Sequence, residues 1–234
     1  MSALQIRQLH AWYGESHVLH GVDLHVARGE TVCLLGRNGA GRSSTLRAIM
    51  GLTGRRTGEI RVFGRDLAGV APHRVAAHGV GYCPEERGIF ASLSTRENLL
   101  LPPRQRTGFD GMTLDEVDAL FPNLRERAHS PGSRLSGGEQ QMLALARILR
   151  TGAGLLLLDE ISEGLAPVIV RALGRAIARL RDRGYSVLLV EQNFHFSARL
   201  ADRFYVMESG RVIDELARAD LAARREQLER LLGV

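Results

Sequence analysis

Leu34-Leu35-Gly36-Arg37-Asn38-Gly39-Ala40-Gly41-Arg42-Ser43-Ser44 carries the decision about fold. The apolar run Thr31-Val32-Cys33-Leu34-Leu35 stops at Gly36, and a helical pattern over Ser44 to Met50 follows, closed by Gly51. Glycines at 36, 39 and 41 between a strand and a helix form a phosphate-loop pattern, with Arg42 where that pattern has lysine. Such glycines let backbone N–H groups wrap an anion while the helix points its positive end at it. Gly36, Arg37, Asn38, Gly39, Ala40, Gly41, Arg42, Ser43 and Ser44 are therefore expected to hold phosphate, with Ser43 placed for Mg²⁺. The alternative is a glycine-rich turn joining strand to helix.

Further short apolar runs surround this stretch. Gly79 to Cys83 stops at Pro84, Leu155 to Leu158 at Asp159, and Ser186 to Val190 at Glu191. Runs of this length, apolar on both faces, read as buried parallel strands. Helical patterns over Gln140–Arg150 and Pro167–Arg181 separate them. Strand alternating with helix predicts an α/β fold, a parallel sheet covered on both faces. Ligands of such sheets sit beyond the carboxyl ends of the strands, which here carry Gly36, Glu85, Asp159-Glu160 and Gln192. A carboxylate at Asp159 could hold Mg²⁺ through water, and Glu160 could orient or deprotonate an attacking water. Two solvated acids at a strand end are the alternative.

The polar–apolar alternation of residues 1–30 and 58–66 predicts antiparallel strands along one edge. Residues 31–57, 67–85 and 136–207 form the expected α/β core, and 86–135, with Pro102-Pro103, an inserted helical part. Residues 208–234 are expected to supply a hairpin arm and an Arg-rich helix, the turn lying at Glu208-Ser209-Gly210.

Composition narrows the function classes. The chain has 234 residues, a formal charge of +5 and 44% hydrophobic residues, which argues against disorder. All of its basic side chains other than histidine are arginine. Basic residues are scattered and aromatics are 5%, which argues against a nucleic-acid partner. No apolar run approaches the roughly 20 residues of a membrane span, and Met1 to Gln5 do not read as a secretion signal. Two cysteines, Cys33 and Cys83, lie in apolar runs, so a disulfide or cysteine–metal framework is not expected.

Leu135-Ser136-Gly137-Gly138-Glu139-Gln140-Gln141 opens a helix upstream of the acidic strand. This heptapeptide resembles the signature motif of ABC-transporter ATPases, and phosphate loop, signature and acidic strand follow that family's order. The chain is thus identified as a P-loop NTPase with a RecA-like parallel sheet, an antiparallel β subdomain and an inserted α-helical subdomain. The resemblance implies that two ATPases clamp ATP and Mg²⁺ head to tail. Each nucleotide would lie between one subunit's phosphate loop and Ser136, Gly137 and Gly138 of the other. It also implies that Tyr13 stacks on adenine (an edge-strand aromatic being the alternative), that Asp159 and Glu85 serve Mg²⁺, and that Glu160 and Gln192 are catalytic. Ser162-Glu163-Gly164-Leu165 would communicate across the dimer.

Within the family, Glu86 to Phe90, Ser162 to Pro167, Val190-Glu191-Gln192-Asn193 and the closing Leu231-Leu232-Gly233-Val234 resemble ATPases of branched-chain amino acid importers. That implies a second ATPase subunit, hetero- or homodimeric, two membrane permeases and, indirectly, a periplasmic binding protein. The place would be the inner face of the bacterial plasma membrane. The departures are Arg42 for lysine, Glu85 for glutamine, Gln192 for histidine and Ile161 for proline. A guanidinium is planar and prefers a forked contact, so altered phosphate geometry with normal or reduced hydrolysis is expected. His195 could stand in for the missing histidine or be a surface residue. A nucleotide-responsive clamp with weak hydrolysis in an asymmetric heterodimer, and a soluble non-transport ABC protein, are the rival readings.

Overall fold

The computed structural model describes residues 2–104 and 108–232, so Gly233 and Val234 of the closing motif lie outside the described residues. Strands β1 (Ser2–Tyr13) and β2 (Ser16–Ala27) form an antiparallel hairpin. β3 (Thr31–Gly36) leads through the glycine loop into α1 (Arg42–Ile49). β4 (Arg55–Val62) and β5 (Arg65–Asp66) return to the first sheet, and α2 (Pro72–Val75) precedes β6 (Val80–Cys83). Three short helices follow, α3 (Thr95–Leu100), α4 (Leu114–Leu120) and α5 (Pro122–Glu126). Then come α6 (Gly137–Leu149), β7 (Leu155–Asp159), α7 (Pro167–Asp182) and β8 (Ser186–Val190). The chain closes with α8 (Phe194–Leu200), β9 (Arg203–Glu208), β10 (Arg211–Ala217) and α9 (Leu221–Leu232).

The strands build two sheets, an antiparallel one ordered β2-β1-β4-β5 and a larger one ordered β10-β9-β3-β8-β7-β6. Within the larger sheet β9, β3, β8, β7 and β6 are parallel and β10 is antiparallel to β9. Period-two alternation sends each strand's side chains to two separate cores. Val32, Leu34, Leu155, Leu157, Leu188 and Val190 face the antiparallel sheet and α1. Cys33, Leu35, Leu156, Leu158, Val187 and Leu189 face α6, α7 and α8. Burial on both faces is why these strands are continuous apolar runs. It also raises both thiol pKa values, that of Cys83 to about 12.

Two boundaries differ from the sequence reading. β4 already begins at Arg55, because Arg55 and Arg56 pair with Trp12 and Ala11. The hairpin over Arg203–Ala217 belongs to the parallel sheet, since Met207 pairs with Gly36, so a division at 207/208 cuts one unit. The helical insert is strapped to the core. Arg150 donates from Nε to Leu99 O at 2.8 Å and from Nη1 to Met112 O at 3.0 Å.

Candidate functional site

The phosphate loop owes its course to close backbone packing. A Cβ at Gly36 would lie 2.4 Å from Met207 O, so only glycine fits where β3 passes β9. Gly41 caps α1 with φ 105°, a left-handed conformation that glycine adopts without steric cost. No acidic residue occupies the first turn of this eight-residue helix, so its N-terminal N–H groups keep their positive end. Asn38, Gly39, Ala40, Gly41, Arg42, Ser43 and Ser44 line one cavity of about 740 Å³, together with Glu85, Glu160, Glu163 and Gln192.

Strand β7 ends on Asp159 beside the loop. Ser43 Oγ donates to Asp159 Oδ1 at 2.8 Å, and Tyr82 donates to Oδ2 at 3.3 Å. Burial pushes the Asp159 pKa up, against the pull of these bonds and of Arg47 and Arg42. A hydroxyl and a carboxylate in contact are hard oxygen donors, a set that suits Mg²⁺ completed by phosphate and water. Glu85 is exposed on the rim; burial and then Glu163 and Asp159 raise its pKa.

Glu160 follows with φ 45°, an uncommon backbone conformation for a side chain of this size, held by its N–H donating to Val190 O at 2.9 Å. Both carboxylate oxygens are engaged. Arg42 Nη2 donates to Oε1 at 2.7 Å, and Gln192 Nε2 donates to Oε2 at 2.9 Å. Gln192 Nε2 also donates to Asn38 Oδ1 at 2.5 Å. Burial first, then a hydrogen bond with Glu163, pushes Glu160 up to about 7, the Arg42 charge opposing. Beneath it, buried Glu191 accepts from Ser162 N at 3.0 Å and Ser162 Oγ at 2.7 Å, fixing the loop after Glu160. Desolvation takes Glu191 to about 7 as well.

Other expected site residues lie elsewhere. Arg37 turns into a separate cavity with Val206, Met207 and Ile213. Tyr13 ends β1, 37% exposed, and does not line the loop cavity. His17 and His20 line it instead. The His17 ring stacks on Trp12 at 4.2 Å, and Trp12 lies under the Arg55 guanidinium at 4.0 Å. The sequence reading passed over these histidines because β2 alternates like any half-exposed strand. Ser136 caps α6 in a capping box, accepting from Glu139 N at 3.3 Å while Glu139 Oε2 accepts from Ser136 N at 2.8 Å. Ser136, Gly137 and Gly138 do not line the chain's own phosphate cavity. Gly138 packs on α7, where a Cβ would meet Ile169 Cγ1 at 2.8 Å. His195 is exposed on α8, and Ile161 is buried.

Residues 19–163 match the family described as "ABC transporter". The chain is 40% identical over 211 residues to the "High-affinity branched-chain amino acid transport ATP-binding protein BraG" of Pseudomonas aeruginosa, with 90% of this chain and 91% of that protein covered. It is 34% identical over 213 residues to the "Probable branched-chain amino acid transport ATP-binding protein LivF" of Archaeoglobus fulgidus, covering 89% of each. The "Lipopolysaccharide export system ATP-binding protein LptB" of Escherichia coli K12 is 33% identical over 219 residues, with 91% and 90% covered. A solved structure titled "Structure of ATP binding subunit of ABC transporter" superposes with TM-score 0.82 at 27% identity, covering all of both chains. Phosphate loop, capped Ser136 helix and acid-tipped β7 stand on that common fold in the expected order, and the chain belongs to the ABC transporter family.

Proposed function

We propose that the chain is the ATP-binding and ATP-hydrolysing subunit of an importer for branched-chain amino acids or related amino acids and amides. The convergence of Arg42, Ser43, Asp159, Glu160 and Gln192 on the phosphate-loop cavity carries this reading. The α1 N-terminus and loop N–H groups receive the phosphates. Ser43 and Asp159, with Glu85 at the rim, are placed to hold Mg²⁺, which when bound supplies neutralisation of charge on the phosphoryl oxygens. Glu160 is the base that takes a proton from the water attacking in line, and Gln192 steadies it. Ser136 and Gly138 serve the cavity of a second ATPase subunit, which their separation from this chain's own cavity supports. Tyr13, Gly36 and Arg37 remain proposed nucleotide contacts from the resemblance.

Phe90, and Leu100 and Leu101 at the end of the α3 helix that Asn98 ties to Phe90, expose large apolar side chains, which supports permease docking at the Glu85–Phe90 segment. No helix among the described residues is long and apolar enough to cross a membrane, so the proposed place is peripheral, on the inner face of the plasma membrane. The 40% identity to the BraG protein against 33% to the LptB protein favours the importer branch. The test is reconstitution with the neighbouring-gene permeases and second ATPase in vesicles; ATP-dependent uptake of a branched-chain amino acid, a related amino acid or an amide supports the reading, and ATP-independent uptake, or none of any of these, refutes it. A clamp that closes but scarcely hydrolyses is favoured by one observation, the Arg42 bond to the base. Steady-state hydrolysis equal in the wild type and Glu160→Gln would establish it.

A further inference from the structure

Arg42 is 4% exposed, yet its guanidinium is only half satisfied. Nη2 meets Glu160 Oε1 at 2.7 Å and Asn38 Oδ1 at 3.4 Å, whereas Nη1 is buried without a partner. Gln192 closes the ring by binding both Glu160 Oε2 and Asn38 Oδ1. The loop after β3, the end of β7 and the residue group after β8 are thereby tied together across the floor of the phosphate cavity.

Two consequences follow. A carboxylate whose oxygens are both occupied, one by a cation, is a poor acceptor for a proton from water. A phosphate cradled by the α1 N-terminus competes with that carboxylate for the same guanidinium, and the idle Nη1 gives it a first point of attachment. We propose that the Arg42–Glu160 pair is an autoinhibitory latch, holding the base out of action until the terminal phosphates of a bound nucleotide draw the guanidinium away. Arg42 is then a positioning residue for Glu160 as well as a phosphate ligand. The forked head makes both contacts available in turn, which a single ammonium serves less well. The latch rests on the nucleotide-binding reading above.

The test is a double-mutant cycle on ADP affinity, measured by calorimetry on the full chain without Mg²⁺, so that no hydrolysis enters. Glu160→Gln, in removing the competitor, should tighten ADP about tenfold. In the Arg42→Ala background the same change should tighten it no more than Glu85→Gln does in the wild type, which reports the general effect of losing one negative charge at the cavity. Equal tightening in both backgrounds, or none in either, overturns the latch. A structure of the unaltered chain with ADP gives a second reading that needs no variant. There Arg42 and Glu160 should stand beyond about 4 Å, and an intact pair overturns the latch. Failure of the wild type to bind ADP at all overturns the nucleotide reading together with the latch, whereas binding without coupling overturns the latch alone.

Discussion

The helix N-termini of α1 and α6 finish their hydrogen bonding in opposite ways. Gly41 gives α1 no side-chain cap, and the first turn carries no acid, so its N–H groups face a cavity. Ser136 and Glu139 close α6 on itself, and Ser136 is exposed. Around α1 the acids of β7 and the amide after β8 are drawn in to 2.7–2.9 Å. Around Ser136–Gly138 the neighbours are Glu139, Arg87 and Ile169, none of them from the acid-tipped strands. One region is assembled from distant parts of one chain; the other is complete locally and stands apart from the chain's own cavity, as the proposed task against a second subunit requires. The contrast teaches that, on the proposed function, chemistry and assembly can be tested at separate helix ends.

Replacing Glu160 by Gln should lower steady-state ATP hydrolysis of the assembled complex about a thousandfold while ADP binding persists. Unchanged turnover would remove the chemical role from the β7 side. Ser136→Arg should cost about a hundredfold in hydrolysis and abolish transport. ADP titrations of the isolated chain should not move, and if they do, the two regions are not separate. Arg42→Lys should leave hydrolysis within about threefold of the wild type or raise it, since the positive charge is kept. Loss of ATP binding in that variant, read by the same titration, would refute the view that arginine does lysine's work here.

Smaller effects bear on stability. A methyl at Gly138 would press on Ile169 Cγ1 from 2.8 Å, so Gly138→Ala should destabilise the fold by about 1–3 kcal/mol in urea unfolding. The α1 side responds instead to protons. Glu191, raised from 4.5 to about 7 in the fold by burial, binds more protons folded than unfolded between those values. Its contribution to stability is present below pH 4.5 and is lost as pH rises through 7. Glu191→Gln should flatten that part of the stability–pH curve. An unaltered slope would mean that the carboxylate titrates as if exposed.

Much of this arrangement was legible in the chain. The runs ending at Gly36, Asp159 and Glu191 are buried throughout, and burial on both faces forces unbroken apolar composition. Glycines at 36 and 41 answer to a backbone contact and a left-handed φ, local demands that only one residue type meets. The hairpin at residues 203–217 was visible as two strands and a turn, its first strand expected in the α/β core, but not that its second strand joins the same sheet. Which strand lies beside which is a matter of tertiary packing: β9 is buried over Phe204 to Met207, whereas β10 alternates exposed with less exposed residues, as an independent ribbon would. Tyr13 and His17 show the same limit: both lie near the β1–β2 turn, where Tyr13 pairs with Ser16 and Trp12 with His17, and only His17 reaches the cavity.

By itself the sequence determined the strand-and-helix alternation, the glycine loop, the two acids at the tip of β7 and the Ser136 cap, because each follows from spacing, backbone freedom or burial within a few residues. Only the tertiary structure decided that Arg42 holds Glu160, that Gln192 bridges Glu160 to Asn38, and that Tyr82 reaches Asp159. Those contacts exist because the order β3-β8-β7-β6 brings strand ends far apart in the chain side by side. Hydrophobic periodicity tells a strand which face to bury and leaves its neighbour to the packing of the whole.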